Sequence, residues 1–121
     1  EAVDDRRNLD GAATASWVVG MAEGIARRGG AAPGDKTMVD AWQPAAEAAR
    51  HAGRGVTATL EAAAEAARRG AEGTAAMTAK FGRAAKLGAR ARGHQDPGAA
   101  SAALILAAMA DAARARLPTG G

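Results

Sequence analysis

The sequence predicts an all-α fold, and three observations carry that prediction. Of the 121 residues, 48% are hydrophobic but only 2% are aromatic. Alanine supplies most of the apolar count, and it is the strongest helix former. No stretch alternates Val, Ile, Thr or aromatic residues as a half-buried strand would. Apolar positions recur instead at the i, i+3, i+4, i+7 spacing of one helix face, between Gly and Pro breaks. Because alanine buries little area, such helices form more easily than they hold together, and the core is expected to be thin.

Taken in order, residues 1–9, EAVDDRRNL, are polar and aperiodic and read as a linker. Asp10 is a suitable N-cap for a helix running to about Arg28, with Val18, Met21, Ala22 and Ile25 on its buried face. Arg27 and Arg28 suit the negative end of the helix dipole, and Gly29-Gly30 stops it. After a Pro33-Gly34 turn, a second helix is expected from about Lys36 to Ala52, with Met38, Trp42, Ala45 and Ala49 sharing a face. Pro44 lies inside it and predicts a kink or short break near Ala41. A third, alanine-rich helix is expected from Val56 to about Lys80, supported by the Glu65–Arg69 pair and weakened by Gly70 and Gly73. Residues 81–95, FGRAAKLGARARGHQ, are basic and glycine-punctuated, the character of a functional or disordered loop. Asp96 then caps a last helix with Pro97 in first position, running to about Arg116. Leu104, Ile105, Met109 and Ala112 are its expected buried face, and residues 118–121 are a tail.

Composition narrows the function classes. There is no Cys, so neither a disulfide framework nor a thiolate metal site is available, which fits a reducing, cytoplasmic setting. No charged-then-apolar leader follows Glu1, and the longest apolar run, Ala99–Ala110, is too short to cross a bilayer and reads as a buried helix. The net charge of +3 suits an anionic ligand. One Phe and two Trp leave little for base stacking, and the basic residues concentrate in a loop, which disfavours nucleic acid.

Two stretches carry candidate chemistry. Asp96-Pro97-Gly98 opens a helix, whose unpaired N–H groups and partial positive charge can hold an anion. Arg83, Lys86, Arg90 and Arg92 upstream are donors of the kind that clamp phosphates, although a plain cap beside a solvated basic loop explains the same residues. GGAAPGDKTMVD, residues 29–40, meets the phosphate-loop spacing only in part: Asp35 precedes the lysine and no strand leads into it. It reads as a turn before a helix. His51 and His94 lack partners at ligand spacing, so a zinc site is not expected. Asp4, Asp5 and Asp10 do not form a calcium loop, and no nucleophile elbow or triad signature is present.

Read together, GDKTMVDAWQPAAEA and GRAAKLGARARGHQDPGAASAALIL resemble the nucleotide-binding subunit or domain of dihydroxyacetone kinases, the DhaL family. The resemblance runs from Asp10 to Leu117, and two long motifs in order are a specific signal. It implies an antiparallel helical bundle or barrel, here an incomplete set of about four to five helices, with 10–117 as the C-terminal part of the domain. Carried over position by position, the family's nucleotide contacts fall on Gly29, Met38, Arg83, Asp96, Pro97 and Gly98. In that reading Arg83 neutralises phosphate, Met38 packs on the adenine and Gly29 lets backbone approach the ligand.

The pattern also departs from the family. Ala85, Lys86, Ala89, Ala91 and Arg92 stand where Ser, Tyr, Glu, Ser and Ile are usual, which alters the loop's contacts to substrate or partner. The family's N-terminal half, with its magnesium-binding aspartate cluster and glycine-rich loop, has no counterpart, and Asp4 and Asp5 do not reproduce it. Phosphoryl transfer depends on metal-assisted charge neutralisation, so this chain alone is expected to be inactive, with no catalytic and no metal-binding residue of its own. The implied cofactor is ADP or ATP with Mg2+. The implied partners are a dihydroxyacetone-binding subunit, a phosphotransferase-system phosphoryl donor, and the absent half or a second copy to cover the core. A non-catalytic helical interaction module that keeps the fold without the metal site is the alternative reading.

Overall fold

The computed structural model describes residues 2–30, 32–52, 55–77 and 93–115. Among these, four helices form: α1 (Ala2–Gly29), α2 (Val39–Arg50), α3 (Val56–Gly73) and α4 (Pro97–Ala115). A 3₁₀ turn, Thr74–Ala76, extends α3, and no strand is present among the described residues. The fold is an all-α helical bundle, as composition and periodicity require.

The α1 helix begins eight residues before the expected cap, so residues 2–9 are helix rather than linker and Asp10 lies within it. The reason is local: residues 2–10 contain no Pro or Gly, and charged residues do not end a helix when nothing breaks it. The other end is as expected. Gly30 takes φ +65°, and its N–H donates to the Ala26 carbonyl at 2.9 Å, an αL cap. Val18 and Ala22 bury and Ile25 packs against the core, while Met21 is exposed. Trp17 meets Trp42 edge-on, with ring centroids 6.2 Å apart.

The second helix starts at Val39, not Lys36, and it is unbroken at Ala41. Pro44 sits in the middle of the helix, where its missing N–H deprives the Asp40 carbonyl of a donor. That lost bond coincides with a close approach of α3. A Cβ at Gly70 of α3 would stand 2.0 Å from the Asp40 carbonyl oxygen and 2.9 Å from Pro44 Cγ. Gly70 therefore lets the α2 and α3 backbones touch, and it is a packing position rather than a weak point in α3. Trp42, Ala45 and Ala49 bury as the spacing predicts, and Met38 is exposed.

The third helix ends at Gly73, well short of Lys80, because Thr74 turns its hydroxyl back to donate to the Ala71 carbonyl at 2.5 Å. Residues 78–80 lie outside the described part. Along its exposed face Arg69 bonds Glu65 at 3.0 Å, as expected. Arg68 bridges Glu65 and Glu72 at 2.5 and 2.6 Å. The Arg68 guanidinium and, to a lesser extent, Arg69 hold the Glu65 carboxyl down at about 2.

The last helix starts where the sequence places it, but of its expected buried face only Met109 packs against the core. Ala99, Ala102, Ala103, Leu106 and Ala110 bury, whereas Leu104 and Ile105 are 71% and 52% exposed and Ala112 is exposed too. The two faces carry nearly equal apolar character, so periodicity misassigned the stripe; small residues face α3 because they allow a close approach. By length and composition α4 is sufficient to cross a membrane, and only 22% of its apolar span is buried, so it is not the buried helix expected.

The order of packing is α1 on α2, α2 on α3 and α3 on α4. Asp40 near the start of α2 meets Gly70 near the end of α3, and Glu61 near the start of α3 accepts from Arg114 near the end of α4 at 2.9 Å. These neighbours therefore run antiparallel. The start of α2, the end of α3 and the start of α4 collect at one end of the bundle.

Candidate functional site

That end is built from the GDKTMVD loop. Thr37 and Asp40 form a capping box: the Thr37 N–H donates to Asp40 Oδ2 at 3.0 Å, and Thr37 Oγ1 accepts from the Val39 N–H at 3.2 Å. The other Asp40 oxygen accepts from the Gly34 N–H at 2.6 Å, and Asp35 Oδ2 from the Ala32 N–H at 3.0 Å. Two carboxylates thus fold the loop by taking its backbone donors. Lys36 adopts φ +60°, a left-handed conformation that costs a side chain about 1–2 kcal/mol. The turn sends its side chain into the interior, where it is 2% exposed.

The Lys36 ammonium donates to the carbonyls of Thr74 and His94, each at 2.5 Å. A lysine bound this way directs two of its three donors to the protein's own backbone. Thr74 is fully buried, and its Oγ1 accepts from the Asp96 N–H at 2.8 Å. The Gly93 N–H donates to the Ala75 carbonyl at 2.6 Å.

From this platform the start of α4 projects. Asp96 Oδ2 accepts from the Ala99 N–H at 2.9 Å, and the Asp96 carbonyl from the Ala100 N–H at 2.9 Å, with Pro97 in first position. A Cβ at Gly98 would lie 3.1 Å from Asp96 Oδ2 and 3.4 and 3.5 Å from Met38 Cβ and Cε. Met38, Asp96 and Gly98 are therefore one contiguous surface, with the exposed Pro97 beside them. Gly29 ends α1 in open space, where an added Cβ would touch nothing. Arg83 and the rest of the basic segment up to Arg92 lie outside the described residues.

The carboxylate decides what this surface can bind. Asp96 already occupies a first-turn N–H and offsets the positive end of the α4 dipole. The surface presents an acceptor and an apolar thioether rather than a vacant phosphate cradle. Among the described residues, no group of three His, Cys, Asp or Glu side chains could hold a metal ion. A separate groove of about 490 Å³ runs between α3 and α4, floored by Ala64, Ala103 and Leu104 and rimmed by Arg68 and Arg114. Met38, Asp96, Pro97 and Gly98 do not line it.

Lys36, Asp40, Thr74 and Gly70 escaped notice as site-building residues. For Asp40 a signal existed, since Thr37-x-x-Asp40 is a capping-box pattern. The roles of Lys36, Thr74 and Gly70 arise from contacts between segments far apart in sequence, which no local pattern records.

Among the described residues, one end of the all-α bundle sets a lysine-pinned loop against a capped helix start. The chain matches the DAK2 domain family over residues 1–111, and it belongs to that family. It is 45% identical over 96 residues to the PEP-dependent dihydroxyacetone kinase, ADP-binding subunit DhaL, of Escherichia coli (strain K12). The match covers 77% of this chain and 46% of that subunit, so the chain spans about half the length of its curated relative.

Proposed function

We propose that this chain is the C-terminal part of the nucleotide-binding, phosphoryl-donor module of a cytoplasmic dihydroxyacetone kinase. The module holds ADP or ATP with Mg2+ and delivers a phosphoryl group to dihydroxyacetone on a partner subunit. The observation that carries this reading is the seating of Gly98 against Met38 beside the Asp96 carboxylate. Met38, 38% exposed, offers an apolar face to a base, and Asp96 an acceptor for sugar hydroxyls. Phosphates need cations, the role proposed for Arg83. Gly29 completes the proposed contacts by leaving its side of the ligand clear. Among the described residues no group of His, Cys, Asp or Glu fits a Mg2+ site, and the proposal places its ligands in the remainder of the module. The relative's description as PEP-dependent favours a phosphotransferase-system protein as the source of the phosphoryl group, acting on bound ADP.

Calorimetry with Mg·ADP tests the reading, on this chain alone and with the remainder of the module supplied. Binding is expected in the second case, weakened about tenfold or more by Asp96→Ala through loss of the acceptor and the cap. No binding with the complete module sinks the kinase assignment. Exposure of Leu104 and Ile105 favours a second reading, a non-catalytic interaction module, in which partner binding persists without nucleotide.

A further inference from the structure

Lys36 is fully buried among the described residues, and the proposed nucleotide chemistry leaves it without a task. Burying an ammonium is costly unless its donors are met. Here they are met by two backbone carbonyls from separate segments, Thr74 after α3 and His94 before α4. Lys36 itself stands two residues before Met38, in a loop folded by Asp40 and Asp35. The same Thr74 receives the Asp96 N–H on its hydroxyl. One ammonium thus joins the segment bearing Met38 to the segment bearing Asp96, Pro97 and Gly98. Between these two segments the fit is close: a Cβ added at Gly98 would stand 3.4 Å from Met38 Cβ.

We infer that Lys36 is a positioning residue: its buried ammonium sets the spacing between Met38 and the start of α4. The tie itself depends only on the geometry above, and its consequence for ligand binding rests on the nucleotide reading. A merely structural lysine would lower stability throughout the bundle. A positioning lysine loosens one end of it and leaves the far part of the core as it was.

Amide hydrogen exchange on the chain separates the two. In Lys36→Met the Asp96 and Gly93 amides are expected to exchange at least about tenfold faster, with Val18 and Ala22 in α1 little changed, and Lys36→Arg is expected to restore protection. Uniform acceleration of all amides, or none at Asp96 and Gly93, overturns the inference. Nitrogen-15 spectra of the unmutated chain give a readout independent of variant folding: the Lys36 ammonium should be protected from exchange with water, and a freely exchanging ammonium overturns the tie. In the complete module, Mg·ADP affinity should fall at least about tenfold in Lys36→Met and recover in Lys36→Arg. Loosened amides with unchanged affinity overturn the positioning role. If the unmutated module binds no Mg·ADP, the nucleotide reading fails, and the exchange data alone decide the tie.

Discussion

Substituting Gly70 by alanine tests the close approach of α2 and α3. The new methyl would stand 2.0 Å from the Asp40 carbonyl oxygen, whereas Cβ contacts below 3.0 Å essentially never occur. The α2 and α3 backbones must therefore separate by about 1 Å, because the obstacle is main chain and cannot rotate away. Overpacking of this kind costs about 1–3 kcal/mol, against a gain of up to about 1 kcal/mol from replacing a helical glycine. The middle of these ranges is a net loss of about 1.5 kcal/mol, which at about 4 °C per kcal/mol lowers the thermal midpoint by about 6 °C. Gly73 supplies the control. It lies at the end of the same helix with φ −62°, and an added Cβ there meets nothing within 4 Å. Gly73→Ala should leave the midpoint unchanged or raise it. Far-UV circular dichroism melts of both variants decide the matter. If both substitutions stabilise the chain equally, the helices do not cross at Gly70 and the explanation of the Pro44 site is wrong.

The corrected α4 face makes a second pair: Leu106→Ala should cost about 2–5 kcal/mol, while Leu104→Ala, at a position 71% exposed, should stay within about 0.5 kcal/mol in denaturant titrations. A comparable loss at both positions would restore the face expected from periodicity. The third prediction concerns pH. Hydrogen bonds from Arg68, and then Arg69, hold the Glu65 carboxyl at about 2 against an ordinary 4.5. A depressed carboxyl stabilises the fold above its unfolded value and loses that contribution as pH falls, so the effect disappears between about 4.5 and 2. Melts across that window should show a steeper decline for the unmutated chain than for Glu65→Gln, with the difference shrinking in high salt because the pair is exposed. Superimposable curves would remove Glu65 from the account.

The candidate site was legible where its chemistry is local. Asp96-Pro97-Gly98 announces a capped helix start, and the Asp96–Ala99 bond confirms it, because a cap is made by residues three apart. Gly30 stops α1 for the same kind of reason. Where neighbouring residues were read in isolation, the outcome was poorer. EAVDDRRNL lacks apolar period, yet helix continues through residues 2–9 because nothing in them breaks it.

By itself, then, the sequence determined the helical class and the start of α4, through alanine content, breaks and caps whose energetics act within a few residues. Its two long motifs also pointed to the family. Tertiary structure decided which stripe of α4 faces inward, since Leu104 and Ala103 are equally apolar to a pattern, and close approach to α3 favours the smaller side chain. It decided that Gly70 is a contact, because Pro44 leaves a carbonyl uncovered across from it. It also decided the fate of Lys36, which local sequence presents only as part of a turn before a helix. Only the meeting of residues 36, 74 and 94 gives its ammonium two carbonyls and takes it out of solvent.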